Sequence, residues 1–183
     1  MPLVYAIDLV REAAARNAAA LSFVCIDYNE ARAVVNAAEQ TGKPAIIMLL
    51  PEYVTKYSLN GFGEFAAMVK FMAEHTDARI GLHLDHSYDE AEVRWAIECG
   101  FTSVMFDASR DDLETNIRRT RAMVEYSSSV NLRFTGWSRW YGSLKMYATC
   151  CISTFVEVMT TFMMNVRPSI STMLRTADVR ICP

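Results

Sequence analysis

The sequence predicts an α/β protein in which helices cover a parallel sheet, on three observations. Short apolar, β-branched runs recur through the first 126 residues. Stretches of helical periodicity separate them. Helix-start and helix-stop residues stand at the junctions. The runs at 21–26, 45–50, 80–84 and 103–106 are nearly continuous rather than alternating, as strands buried on both faces are. Between them, Ala31, Val34, Val35 and Ala38 share one helical face. So do Phe65, Met68, Val69 and Met72, then Ala91, Val93, Ala96 and Ile97, and approximately Leu113, Ile117, Ala122 and Val124. Ser87-Tyr88-Asp89-Glu90 reads as a capping box, and Ser109 followed by Asp111 and Asp112 reads as a second helix start. Gly42 and Gly100 stand where helices should stop. Periodicity does not choose between an open doubly wound sheet and a closed barrel. The phosphate fingerprints GxGxxG and GxxxxGK[ST] are absent, and Gly61-Phe62-Gly63 does not replace them.

Charge excludes some classes of partner. A net charge of −3 offers no electrostatic case for nucleic acid or an anionic membrane. The five cysteines, Cys25, Cys99, Cys150, Cys151 and Cys182, lack CxxC spacing and are odd in number, which fits reduced thiols. The N-terminus carries early acids and no apolar core of a signal peptide.

Composition changes along the chain. Residues 1–126 hold 19 of the 21 acidic residues, whereas 127–183 hold only Glu157 and Asp178 against six basic residues. The later segment also carries fifteen Ser and Thr and five of the eleven Met. A boundary is therefore expected at Ser127-Ser128-Ser129, with 1–126 an α/β unit and 127–183 a divergent tail. Residues 146–166 are apolar and long enough to span a bilayer, but Glu157 at their centre and many hydroxyls argue against a span.

The chemistry concentrates in Ile80-Gly81-Leu82-His83-Leu84-Asp85-His86-Ser87. An apolar strand ends in three ionisable groups, and parallel α/β folds bind ligands at the carboxyl ends of their strands. His83 and Asp85 share a face by the two-residue period, and His86 stands at the exit. An imidazole beside a carboxylate can bind a metal, and the carboxylate can exchange protons with a polarised oxygen. The competing reading is a hydrogen-bonded pair that only fixes a loop. A second strand end, Ser103-Val104-Met105-Phe106-Asp107-Ala108-Ser109, repeats the design, with Asp107 either in the site or capping the next helix.

These two segments, HLDHS at 83–87 and GFTSVMFDAS at 100–109, resemble the class II fructose-bisphosphate and tagatose-bisphosphate aldolases. Flanking segments, AAEQTGKPAII and VEYS, extend the likeness over about residues 3–126. The resemblance implies the (β/α)8 TIM-barrel family, with only the first four β/α units present before a non-matching tail; a whole barrel takes roughly 250 residues. It implies reversible aldol cleavage of a ketose bisphosphate, with Asp85 as the acid/base, His86 as a Zn2+ ligand and Asp107 as an alternative metal position. It further implies a sugar-phosphate substrate, a cytoplasmic place in glycolysis and carbohydrate metabolism, and a homo-oligomer without nucleic-acid or membrane partners. No lysine stands at a strand's carboxyl end to form the Schiff base of class I enzymes, since Lys43 precedes a strand and Lys56 and Lys70 fall in loop or helix.

The chain departs from the family's pattern at Leu50-Pro51-Glu52-Tyr53, where a serine and glycine are usual, and after Ser129, where no further histidine appears. A catalytic zinc takes three protein ligands, so the matched portion supplies one clear ligand only. Residues 135–143 (TGWSRWYGS), shifted one base forward, permit Leu-Gly-Gly-Leu-Gly-Gly-Thr-Glu, similar to the Gly-Gly-x-Glu loop expected there. An out-of-frame tail and an evolved replacement both remain open. So do three functions: a weakly active or inactive aldolase, a non-catalytic half-barrel, and a metal or sugar-phosphate binding module.

Overall fold

The computed structural model describes residues 3–56, 60–130, 133–139 and 146–147. After an opening helix α1 (Ala6–Ala15), strands and helices alternate as β1 (Leu21–Val24), α2 (Tyr28–Thr41), β2 (Ala45–Leu49), α3 (Pro51–Lys56) and α4 (Phe62–Glu74). They continue as β3 (Ile80–Ser87), α5 (Glu90–Glu98), β4 (Ser103–Asp107), α6 (Leu113–Ser129), β5 (Arg133–Arg139) and β6 (Met146–Tyr147). The sheet order is β1-β2-β3-β4-β5-β6, parallel through β5, with β6 antiparallel at its end. Four parallel strands, each followed by helix, thus stand where the sequence puts them, and β5 adds a fifth that the sequence reading did not place.

One face of the sheet carries the main core. Ile47, Leu49, Ile80, Leu82, Leu84, Val104 and Phe106 are fully buried there, against Val35 of α2, Phe65, Val69 and Met72 of α4, and Val93 and Ala96 of α5. Burying such side chains contributes roughly 1.5–3 kcal/mol each, which makes this face the main source of stability. The opposite face holds the alternate residues, and α1 packs on it through Ala6, Leu9 and Val10 against Ile46. The register Met48↔His83↔Ser103 carries that face toward the strands' carboxyl ends.

Three local expectations are corrected. Ala91 is exposed, although Val93 and Ala96 of the same proposed face are buried. Ser87 does not cap α5; Asp89 does, accepting from the Ala91 N–H, while the Ser87 hydroxyl stands 3.0 Å from the Asp89 carbonyl and 2.9 Å from the Glu92 carboxylate, with one proton to give. Helix α6 is capped by Asp112 rather than Ser109, and its buried face is Asn116, Thr120, Met123 and Ser127, with Leu113 and Ile117 exposed. The physical reason is a hydrogen bond: Asn116 donates to the Ala108 carbonyl at 2.7 Å, which turns a polar stripe inward. Gly42 ends α2 in the left-handed conformation, φ +63°, as expected for a helix stop. Helix α6 ends with Ser127-Ser128-Ser129 as its last three residues. The apolar stretch at 146–166 lies outside the described residues except for Met146 and Tyr147; no described helix is long and apolar enough to cross a membrane.

Candidate active site

The site forms at the carboxyl edge of the sheet, where β3 and β4 end side by side. β3 does not stop at Leu84 but runs to Ser87, and its pairing with β4 shifts register between Leu84 and Ser87. Within that irregularity His86 takes a positive φ of 41°, which is costly for a side chain with a Cβ and is characteristic of functional positions. The shift lets consecutive residues, which a regular strand would send to opposite faces, approach each other: His86 Nε2 lies 3.9 Å from Asp85 Oδ1.

The other imidazole nitrogen meets the next strand. His86 Nδ1 is 2.7 Å from Asp107 Oδ2, and the Asp107 carboxylate is buried, 3% exposed. Its second oxygen accepts the Ser109 N–H at 2.8 Å. Burial pushes the Asp107 carboxyl up, but the hydrogen bonds from Ser109 and His86 outweigh it and hold the group below the ordinary carboxylate range. Asp107 therefore turns its own loop and orients His86; it does not cap the next helix, which Asp112 caps instead. A carboxylate on Nδ1 fixes the imidazole tautomer that presents the Nε2 lone pair.

Asp85 behaves differently. Burial raises its carboxyl, only partly countered by His86. A carboxyl raised in this way exchanges protons nearer neutrality than an exposed one. His83 leaves the group: its Nδ1 pairs with the Ser103 hydroxyl at 2.7 Å, and burial pushes its acid constant down to about 4. It is a neutral structural neighbour. Two of the three ionisable groups of β3 thus converge with Asp107, and the third serves the sheet.

The sequence reading missed the residues that hold this edge together. Arg119 of α6 binds Glu90 at 3.0 Å, Asp111 at 2.7 Å and the Tyr88 carbonyl at 3.2 Å, tying the loop after β3 to the loop after β4. Arg110 lies over the Tyr88 ring, 3.7 Å from its centroid. A basic residue three positions beyond Asp107 was the available signal.

Among the described residues no group of three or more His, Cys, Asp or Glu could hold a metal ion. The donor chemistry of His86, with its carboxylate-anchored ring, fits one ligand of a zinc site, and Asp85 stands beside it. A complete catalytic set needs two protein donors beyond His86.

A parallel α/β sheet with two carboxylates and an imidazole at its carboxyl edge places them where parallel α/β folds bind ligands. A family model described as "Fructose-bisphosphate aldolase class-II" matches residues 4–134, and the chain belongs to that family. It is 33% identical over 130 residues to the fructose-bisphosphate aldolase of Thermus caldophilus, covering 71% of this chain and 41% of that protein. It is 31% identical over 134 residues to the 6-phospho-5-dehydro-2-deoxy-D-gluconate aldolase of Halalkalibacterium halodurans, covering 72% of this chain and 46% of that one. The crystal structure of the YdjI aldolase from Escherichia coli K12 superposes with a TM-score of 0.67 at 25% identity, covering 73% of this chain and 51% of that chain. The chain spans less than half the length of these curated relatives.

Proposed function

We propose that these residues are the proton-handling half of a class II ketose-bisphosphate aldolase site. The observation that carries the reading is the convergence of Asp85, His86 and Asp107 on one edge. In the cleavage direction Asp85 takes the proton of the substrate hydroxyl that becomes the aldehyde oxygen. The carbon–carbon bond then breaks, and its electron pair passes to the enediolate of dihydroxyacetone phosphate, which is later protonated. Asp107 holds the His86 ring still throughout. Zn2+, when bound, supplies a Lewis acid for the carbonyl, and His86 is the residue that would hold it, with Asp107 as an alternative metal position. The sugar is a ketose bisphosphate, fructose or tagatose; the reading includes a cytoplasmic, homo-oligomeric enzyme of carbohydrate metabolism.

On the described residues alone the metal set is incomplete, and this favours a second reading in which the chain binds sugar phosphate while turning over weakly or not at all. Zinc content and aldol cleavage, measured on the purified 183-residue chain and on Asp85→Asn, separate the two. Measurable cleavage that falls roughly 10²–10⁴-fold in Asp85→Asn supports the enzyme. Tight stoichiometric zinc with cleavage untouched by Asp85→Asn removes Asp85 from the mechanism.

A further inference from the structure

We infer that the outer edge of β1 is a self-association surface, through which two copies of this chain pair antiparallel about a two-fold axis. The surface gives the proposed homo-oligomer its contact and does not depend on the catalytic reading.

β1 lies at one end of the sheet and, among the described residues, pairs with β2 alone. The Cys25 N–H donates to the Met48 carbonyl at 2.9 Å, which fixes the phase of the ladder. In a parallel ladder of that phase Phe23 and Cys25 turn their backbone groups to β2, and Ser22 and Val24 turn theirs outward. Every residue of β1 is exposed, whereas β2 beside it is almost wholly buried. Leu21, Phe23, Val24 and Tyr28 therefore set apolar side chains around those outward-facing groups. Sheets that stay monomeric blunt such an edge with lysine, proline, a bulge or shortness. Leu21-Ser22-Phe23-Val24 has the last device only.

Charge says what the edge fits. Arg16 stands before its amino end, and Asp27 and Glu30 stand at its carboxyl end. There the Asp27 carboxylate accepts the Glu30 N–H and the Glu30 carboxylate accepts the Ile26 N–H, which holds both acids beside the strand. All three charged groups are exposed, and none makes an ion pair among the described residues. A second copy laid antiparallel brings each Arg16 to the acidic end of the other strand, twice over by symmetry. A parallel neighbour would set acid against acid. The phase of the ladder then fixes the register. Ser22 and Val24 must be the hydrogen-bonded residues, so Ser22 pairs with Val24 of the second copy and Val24 with its Ser22. Phe23 falls on the axis, opposite Phe23 of the second copy in a non-hydrogen-bonded pair, where side chains come closest. An aromatic pair closes the centre, opposite charges close both ends, and the pairing leaves no third copy a place on this edge.

Sedimentation velocity of the full chain over a dilution series, on wild type and Phe23→Lys, tests the surface. Lysine leaves the β1–β2 hydrogen bonds in place and sets like charges face to face across the axis. Wild type is expected to be a dimer that dissociates on dilution, with Phe23→Lys weakening it about tenfold or more. Mild oxidation of Phe23→Cys and of Ser22→Cys, with linkages mapped by peptide mass, reads the register. The Cα atoms of a non-hydrogen-bonded pair lie about 4.5 Å apart, within a disulfide's reach, whereas the two copies of position 22 are offset along the strands. Phe23→Cys should give a dimer linked through position 23, and Ser22→Cys should give no link through position 22. A wild-type chain that stays monomeric throughout, as when residues 148–183 of the same chain cover the edge, overturns the inference. So does a dimer equally strong in Phe23→Lys, which would place the second copy elsewhere. Should Phe23→Lys not fold, the oxidation of Phe23→Cys decides, and the absence of a link through position 23 overturns the inference. None of these results touches Asp85 or His86, so the self-association and the aldolase reading fail separately.

Discussion

His86 Nδ1 and Asp107 Oδ2 lie 2.7 Å apart across two neighbouring strands, one ring partly open to solvent and the other group almost wholly buried. Because the buried partner is the acid, the pair acts on the open one: Asp107 cannot move, so His86 is oriented.

Replacing Asp107 by Asn tests how much of the site depends on that pair. The folded carboxyl is held below its ordinary 3.8, since hydrogen bonds from Ser109 and His86 outweigh the effect of burial. A depressed carboxyl contributes stability above the unfolded value and loses it as the pH falls through the folded one. Asp107→Asn is therefore expected to lose about 1–3 kcal/mol near neutral pH, the usual range for a charged hydrogen-bond partner. The deficit should shrink as the pH falls below 3.8. Urea midpoints at pH 7 and pH 3 measure both arms; an equal deficit at the two values would remove the ionic part of the argument.

His83 gives the opposite kind of pH dependence. Burial drives it down to about 4 from an ordinary 6.5, with His86 adding to the effect and the Ser103 hydrogen bond opposing it. For a histidine so depressed, the unfolded chain takes up its proton first, so its contribution is complete above 6.5 and is lost as the pH falls toward 4. Wild-type protein should lose up to about 3 kcal/mol across that window. His83→Gln keeps a hydrogen-bonding group opposite Ser103 and has no proton to gain, so its unfolding curve should flatten there. Identical curves for both proteins would assign the acid sensitivity to other groups.

The strands and the core were legible because a parallel sheet covered by helices leaves continuous apolar runs, and β2 and β4 differ from their expected spans by a single residue at the end. The pairing of β3 and β4 rims was legible too, since ionisable residues at the end of a buried strand have few other reasons to be there. What escaped was set by tertiary geometry. The register shift that lets His86 approach Asp85 follows from pairing with β4, and no periodicity within β3 reports it. Helix α1 packs on the second face of the sheet, opposite the main core, and carries no motif. Helix α6 escaped for a chemical reason: apolar spacing selected Leu113 and Ile117, but Asn116 turns inward to add a second donor to the Ala108 carbonyl.

That donor supplies another prediction. Asn116 is 2% exposed, gives its amide proton to the Ala108 carbonyl and is itself bonded by Thr120 at 3.3 Å. Asn116→Ala removes one of two donors to the Ala108 carbonyl, which keeps the Asp111 N–H at 3.0 Å, and is expected to cost about 0.5–1.5 kcal/mol, the net worth of one hydrogen bond. Thermal or urea unfolding reads the loss directly. A variant as stable as wild type would mean that the loop holds its position through Asp107 and Ser109 alone.

The change of composition near the serine run leads to the last prediction, which concerns the gene. The family model ends its match at residue 134, and the segment whose shifted reading permits Gly-Gly-x-Glu begins at Thr135. We propose that residues 127–183 form a divergent tail, and that from near this point they are the aldolase gene read one base out of phase. The glycine spanning Trp140 and Tyr141 follows from the genetic code in any case, because TGG followed by T can only give GGT. The glutamate instead requires an AGY codon at Ser143 and an adenine closing the Gly142 codon. The coding DNA is expected to show both, together with histidine codons further on in the shifted frame that would complete the zinc set begun by His86. A shifted frame that lacks the Gly-Gly-x-Glu loop or those histidines would leave an evolved tail as the remaining explanation, and the metal set would then have to be completed from elsewhere or not at all.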